Sequence, residues 1–305
     1  MHRLLGSESE AGSGIGSGIT LKGMCRVLEV SASGYYAWRR RQSQPGGTRS
    51  SANEVLRVEI RALHAETKQR SGSRKIQQAL KRLGKRVNHK RVARLMRHEG
   101  LVSSRFKRKR FKVTTNSNHG QPVAPNVLNR EFAAERPNAK WVSDITYVPT
   151  REGWLYLAVV LDLFSRRIIG WAMADCMTRH LVMDAFRMAT QARNLTADEM
   201  DTTLLFHSDR GVQYASEDFT DLIGSFDLTQ SMSRRANCWD NAVAESFWAN
   251  YKAECVPDHP WGFNTRAQAK TETFEYIEVF YNRQRLHSTL GYLTPVEFEA
   301  RAAVA

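Results

Sequence analysis

Apolar residues recur along this chain first at helical spacing and later at strand spacing. Leu21, Met24, Val27 and Leu28 predict one short helix, and Ser31 or Ser33 caps a second that carries Tyr35, Tyr36 and Trp38. After the loop QSQPGGTRSS, Val55, Leu56, Ile60 and Leu63 predict a longer helix. SGSRKIQQALKRLGKRVNHKRVARLMRHEGL then predicts a helix pair. Ile76, Ala79 and Leu80 face inward on the first helix, Gly84 stops it, Asn88 caps the second, and Val92, Leu95 and Met96 face inward there.

From Lys140 the period changes. WVSDITYV, WLYLAVVLDLFS and RRIIGWAMA predict three strands, the last two an antiparallel pair turning near Ser165, Arg166 and Arg167. TRHLVMDAFRMATQARN reads as a helix, LLFHSDRG as a strand, EDFTDLIGSF as a helix and LTQSMS as a fifth strand. A helix with Asp240 as N-cap follows, then one running through Phe280, and Pro295 opens a closing turn or short helix. This order implies a mixed sheet covered by helices, an α/β layer fold, preceded by an all-α region. The expected division is a disordered Gly/Ser-rich leader over 1–20, a helical basic region over 21–112 with a helix-turn-helix at about 71–101, a linker over 113–138, and the α/β core over 139–300 with a C-terminal helical and basic segment.

Charge sharpens that division. The net charge is +14, but residues 1–120 carry 27 Lys/Arg against 7 Asp/Glu, while residues 121–305 carry 18 against 24. The N-terminal part therefore suits a polyanion, and double-stranded DNA is the obvious one. His89, Lys90, Arg91, Arg94 and Arg97 project from the second helix of the pair, free for phosphate or groove contact. Arg105, Lys107, Arg108, Lys109, Arg110 and Lys112 form a basic run interleaved with Phe106 and Phe111, fit for phosphate contact with stacking. Near the C-terminus Arg283, Arg285 and His287 are expected to reach phosphates. No run of 18 apolar residues predicts a membrane span, and the N-terminus has no apolar stretch of signal-peptide length. Cys25, Cys176, Cys238 and Cys255 lack C-x-x-C spacing, which argues against a structural zinc site and for reduced thiols in a cytoplasm.

Three acids carry the candidate chemistry. Asp144 interrupts the first strand, where an unpaired carboxylate costs desolvation unless a cation binds it. Asp209 ends the strand Leu204–Phe206 in the polar turn HSDRG, and beyond 35 intervening residues Glu245 projects from a helix. On that helix Asn241, Glu245, Trp248 and Lys252 share one narrow face, with Val243, Ala244, Phe247 and Tyr251 as an adjacent apolar stripe. Asp144, Asp209 and Glu245 suit oxygen-loving divalent cations, Mg2+ or Mn2+, and two-ion phosphoryl transfer. Asp162 reads as structural or flanking, and His207 as packed. Ser208 and Ser246 adjoin the acids, but neither has an activating base in view, so a serine nucleophile is set aside.

MCRVLEVSASGYYAW, VNHKRVARLMRHEGL, WVSDITYV, LDLFSRRIIGW, HSDRGVQY, CWDNAVAESFWANYKAE and YNRQRLHSTLGYLTP, spread over about residues 21–300, resemble the second-frame product of insertion-sequence-three-type transposable elements. The acid order, the 35-residue spacing and Lys252 seven residues past Glu245 resemble the retroviral-integrase-type, ribonuclease-H-like catalytic core. Residues 1–20 lie outside the resemblance, and the His-His-Cys-Cys zinc arrangement of retroviral integrases is missing. The resemblance implies a DNA transposase that nicks element ends with metal-activated water, after which the freed 3′-hydroxyl attacks another phosphodiester without a covalent protein–DNA intermediate. It implies Asp144 and Asp209 on one ion, Glu245 on a second, and Lys252 and Asn241 at the DNA end. It also implies a homo-oligomer on DNA, an upstream-frame product as fusion or partner, and a nucleoid-associated bacterial location. Residues alone leave two rivals open: a non-catalytic DNA-binding repressor, and a metal nuclease that only hydrolyses.

Overall fold

The computed structural model describes residues 20–43, 48–104, 120–196, 204–235 and 237–304. The chain divides into two compact units, one up to Glu59 and one from Ile60 onward. In the first, the Thr20 hydroxyl caps α1 (Leu21–Val27) by accepting from the Gly23 amide at 3.2 Å. Ser31, of the two serines available, caps α2 (Ala32–Ser43) through the Gly34 amide at 2.9 Å. α3 (Thr48–Glu66) runs from this unit into the next.

The second unit begins with the predicted helix pair, α4 (Ser73–Arg82) and α5 (His89–His98). Ile60, Ile76, Leu80, Val92, Leu95 and Met96 are buried around it. Gly84 ends α4 at φ +79°, a left-handed conformation that glycine adopts without a Cβ clash. The Asn88 side chain starts α5 by accepting the Lys90 amide at 2.8 Å.

β1 (Lys140–Thr150), β2 (Gly153–Asp162) and β3 (Ile168–Ala174) form an antiparallel meander. β4 (Leu205–Ser208) pairs parallel to the other edge of β1, and β5 (Thr229–Met232) parallel to β4, giving the order β3-β2-β1-β4-β5. α6 (Arg179–Ala192) lies between β3 and β4, and α7 (Glu217–Gly224) supplies the crossover that a parallel β4–β5 pair needs. β1 is thus central and buried on both faces. Val142 and Val148 join Leu155, Leu157, Val159 and Leu161 against α8 (Ala242–Glu254) and α9 (Arg266–Phe274). On the opposite face Trp141, Ile145, Ala158 and Val160 meet α6 and α7. Residues 125–128 run along β5: the Val127 and Leu128 amides donate to Ser231 Oγ at 2.9 and 3.1 Å, and the Met232 amide donates to the Pro125 carbonyl. This segment covers a strand edge that would otherwise expose unpaired backbone groups.

Two helix boundaries differ from expectation. Asp240 does not cap α8. It lies buried in a 3-10 turn, Cys238–Asn241, where its carboxylate takes the Arg234 amide and guanidinium, Arg130 Nε and Asn126 Nδ2 at 2.7–2.9 Å. Those donors leave it nothing for the helix amides, and the Arg234 guanidinium holds its carboxyl well below the usual range. Past α9 the helix does not stay α-helical through Phe280 but widens to a π-helix over Glu275–Tyr281. The changed phase buries Tyr276, Ile277, Phe280 and Tyr281 together. α10 (Pro295–Ala302) closes the chain with Thr294 and Glu297 in a reciprocal capping box. Among the described residues no helix is long and apolar enough to cross a membrane.

Gly170 in β3 sets how closely α6 approaches the sheet. A Cβ there would fall 2.1 Å from the Ala185 carbonyl oxygen and 2.7 Å from the Ala189 nitrogen, both backbone atoms that cannot swing aside. Gly170→Ala is expected to lower unfolding free energy by about 1–3 kcal/mol, read from the urea midpoint at constant m. Gly224→Ala, which meets nothing within 4 Å, serves as the control and should cost nothing.

Candidate active site

The parallel register of β1 and β4 builds the centre of the site. Ser143 pairs with Ser208, so the next residues, Asp144 and Asp209, stand beside each other where β4 ends. Asp144 shares its sheet face with Val142 and Val148, one residue out of phase with Ser143, and so points toward α8. Asp209 is fixed by a local turn in which its Oδ1 accepts the Gly211 amide at 2.9 Å. Asp144 Oδ1 accepts its neighbour Ile145's amide at 2.9 Å, and Oδ2 accepts the Trp248 indole N–H at 2.9 Å.

Protein encloses the Asp144 carboxyl, with only a partly open edge to solvent. This burial, with the Asp209 charge adding to it, pushes the carboxyl up to about 8 against the opposing pull of the Trp248 and Ile145 donors; the Glu245 charge raises it further. Glu245 sits exposed in the first turn of α8, its own carboxyl raised by partial burial. Lys252, two turns on, is half-buried: desolvation lowers its ammonium while the negative charge of Asp144 raises it. Asn241, 5 % exposed, donates to the Ser143 carbonyl at 3.4 Å, and its Oδ1 is buried without a hydrogen-bond partner among the described residues. The face Asn241, Glu245, Trp248 and Lys252 thus turns to Asp144 and its neighbour Ser143 because Ala244, Phe247 and Tyr251 seat α8 on the sheet.

The donor set is hard oxygen: two neighbouring carboxylates, a third acid on the facing helix and one orphaned amide oxygen. It fits a divalent cation of the magnesium type, which usually takes few protein oxygens and keeps several waters. Among the described residues no three His, Cys, Asp or Glu side chains form a ready-made metal cluster.

Two contributors escaped the sequence reading. Trp248 was placed on the right face, but nothing in a single sequence says that its N–H clamps Asp144. Tyr214, the last residue of HSDRGVQY, is fully buried with its hydroxyl 2.8 Å from Ser143 Oγ, and burial followed by the Asp144 and Asp209 charges raises its pKa. Only its place in that motif hinted at it. Of the other residues, His207 is packed as expected, between Ser231 Oγ at 2.9 Å and Ser233 Oγ at 3.2 Å, and burial lowers its pKa to about 4. Ser208 donates to the Asp209 carbonyl at 2.9 Å. Asp162 is structural: it is buried in the β2–β3 turn and accepts the Asn138 and Phe164 amides and Arg193 Nη2, all at 2.9 Å.

The basic residues divide. Lys90, Arg94 and Arg97 are exposed along α5; Arg91 is half-buried, and His89 is half-buried with Nε2 3.0 Å from Ser73 Oγ. Arg283 is exposed, its Nε donating to the Glu278 carbonyl at 3.2 Å. Arg285 and His287 correct the sequence reading. Arg285 is 5 % exposed and grips Glu254 with two bonds of 2.8 and 2.9 Å, and His287 is buried with a pKa well below its ordinary value because of desolvation. Neither side chain is open to a phosphate. Arg105, Lys107, Arg108, Lys109 and Arg110 lie outside the described residues.

Family models described as "Integrase core domain" match residues 134–238 and 227–295, and one described as "HTH-like domain" matches residues 51–110. The chain is 44 % identical over 278 residues to the insertion element IS600 uncharacterized 31 kDa protein of Shigella sonnei, covering 91 % of this chain and 98 % of that one. It is 40 % identical over 280 residues to transposase InsF for insertion sequence IS3A of Escherichia coli strain K12, covering 92 % and 94 % respectively. Among solved structures it is similar to the HTLV-2 integrase catalytic core domain, with a TM-score of 0.39 and 16 % identity over 54 % of this chain and 99 % of that one. With an integrase core behind a helix-turn-helix-like segment, and such identity over nearly the whole of these relatives, the chain belongs to the IS3-type insertion-sequence transposases.

Proposed function

We propose that this transposase nicks and joins DNA strands at its element's ends with Asp144, Asp209 and Glu245 as the catalytic acids. The observation that carries this reading is the pair of neighbouring carboxylates on β1 and β4, faced by Glu245 and Lys252 from one side of α8. Mg2+ or Mn2+, two ions in this reading, would be held by Asp144 and Asp209 with Glu245 on the second, and when bound would activate the attacking oxygen and neutralise charge on the scissile phosphate. The Trp248 N–H keeps Asp144 turned toward Asp209, and its ring walls off bulk water on that side. Lys252 supplies an ammonium donor to a non-bridging phosphate oxygen, and Asn241, at the opposite end of the same helix face, is the other residue assigned to the DNA end. Water attacks first and frees a 3′-hydroxyl. That hydroxyl then attacks a second phosphodiester in line, exchanging one P–O bond for another. The first joining occurs within the element.

Duplex DNA binds in this reading to the exposed Lys90, Arg94 and Arg97 of α5, with Arg91, the basic run Arg105–Arg110 and Arg283 adding phosphate contacts. The acting species is a homo-oligomer on the element ends, with the upstream-frame product as fusion or partner, at the bacterial nucleoid. Labelled element-end duplex incubated with magnesium tests the reaction: joined products are expected alongside nicks, and nicks alone would leave a hydrolytic nuclease.

Three outcomes follow for the acids and Lys252. Asp209→Asn removes one of two neighbouring charges at nearly constant volume, so it should melt at or above the metal-free parent while losing nicking and joining together. Magnesium should raise the parent's melting point more than the variant's, the gain reaching ~2.7 kcal/mol at a hundred times Kd; equal gains would make Asp209 a structural turn residue. Lys252→Ala should slow joining while leaving the magnesium-induced melting shift nearly intact.

The third outcome is a pH dependence. Asp144 in the folded protein keeps its proton up to about 8, whereas the unfolded chain releases it near 3.8. Between those values the folded state binds more protons, so metal-free stability from this group falls as pH rises, and is fully lost above about 8. In chelator, the parent's urea midpoint should drop more steeply between pH 5 and pH 8 than that of Asp144→Asn.

A further inference from the structure

Both ends of α4 are tied to the half of the second unit that carries the acids. Ahead of the helix, Arg70 is 4 % exposed; its Nε donates to the Glu254 carbonyl at 3.0 Å and its Nη2 to Glu275 Oε2 at 3.1 Å. Its guanidinium also lies over the Phe280 ring at 4.6 Å and the Tyr276 ring at 5.3 Å. In the first turn, Lys75 stands 3.7 Å from Glu254 Oε1, on the carboxylate that Arg285 grips and to which the Tyr276 hydroxyl donates at 2.9 Å. In the last turn, Arg82 donates to both Glu297 oxygens at 3.0 and 2.8 Å and to the Tyr292 carbonyl at 2.8 Å. Glu297 belongs to α10, and α10 is itself held at the β2–β3 turn: Glu299 accepts from Ser165 at 2.6 Å, Arg167 at 2.8 Å and Arg193 at 2.6 Å.

A ten-residue helix is ~15 Å long, so anchors at both ends fix its direction, and a second anchor removes the swivel that one would leave. α5 follows α4 rigidly through the buried Ile76, Leu80, Val92, Leu95 and Met96. Glu254, the hub of the first anchor, is the last residue of the same helix that carries Glu245 and Lys252. One element therefore holds the helix-turn-helix-like segment with its end and faces the aspartates with its side.

We propose that this double tether makes α4–α5 a fixed-length ruler. DNA bound on the outward face of α5 is presented to Asp144, Asp209 and Glu245 at one set distance, with Arg70 and Glu254 as positioning residues. The inference rests on the reading of the acids and of α5 given above.

The full-length chain tests it on element-end duplexes carrying two or five extra base pairs between the segment footprinted by α5 and the nicked bond. Each added pair displaces the bond by ~3.4 Å, and misplacement by ~1 Å can cost about a hundredfold in rate. The parent should nick at a bond moved by the inserted length, with joining at the original bond reduced about a hundredfold. Arg70→Ala combined with Arg82→Ala leaves Glu254 paired to Arg285 and Lys75, and Glu275 to Lys68 at 3.2 Å, so no buried carboxylate is orphaned. This variant should keep the parent's Kd for the end within about threefold and nick at both bonds. A parent that nicks the original bond equally well with and without the insertion overturns the ruler, as does a folded variant that keeps the parent's single register. If the variant does not fold, the insertion series on the parent decides alone. Arg94→Ala separates the premises: an unchanged Kd would show that α5 does not hold the DNA, and the DNA reading would fall, taking the ruler with it.

Discussion

Two acids set at neighbouring positions of β1 and the turn after β4, one of them enclosed by protein, are costly to charge together: burial first, and the Asp209 charge after it, raise the Asp144 carboxyl. The offsets are local: one comes from β1, one from the turn after β4 and two from α8. Ile145 and Gly211 supply backbone amides, α8 supplies the Trp248 N–H, and Lys252 supplies a positive charge in the field of Asp144. None of these closes the site: Glu245 remains on the exposed side, and Asn241 Oδ1 has no partner among the described residues. A structure seeking stability alone would have replaced one aspartate or paired it with an arginine, as it does at Asp162 and Asp240.

That contrast separates the acids of this core by chemistry. Asp162 and Asp240 are buried, each meets at least one guanidinium, and each pins a turn. Asp144 is surrounded by protein and meets only neutral donors, with Lys252 sensed at a distance. Burial alone does not mark a working acid, since all three are enclosed. What sets Asp144 apart from the other two is that, among the described residues, no arginine hydrogen-bonds it, and this is what supports the catalytic role proposed for it.

Much of the fold was legible because its elements are strongly periodic. The antiparallel pair formed by the second and third strands, the helix pair with Gly84 and Asn88 at its turn, and the order of strands and helices all follow from spacing and caps. What escaped has a common physical cause: partners distant in sequence. Asp240 has the identity and position of an N-cap, but Arg130, 110 residues earlier, reaches it along with the nearby Arg234. Arg285 sits in a segment that reads as solvated and basic, yet Glu254, 31 residues earlier, draws it into the interior. The π-helical stretch is invisible to a 3.6-residue count because its phase is set by the aromatic cluster it fills. The face of α8 was readable from i, i+4 and i+7 spacing alone, but that Trp248 on this face bonds Asp144 required the packing of α8 on β1.

The same distant pairing changes what the net charge means. A count of +14 suggests a broad polyanion footprint, but several arginines are spent inside the fold. Arg70, Arg193 and Arg285 are nearly buried against carboxylates, and Arg82 is committed to Glu297. These are the residues whose planar, forked donors hold two partners at once, a task lysine's single ammonium does poorly. The exposed cations of α5, Lys90, Arg94 and Arg97, face away from those anchors. Basic charge in this chain therefore divides in two: one set of side chains meets solvent, open to the phosphate contacts proposed above, and the other is spent on carboxylates that hold the fold together.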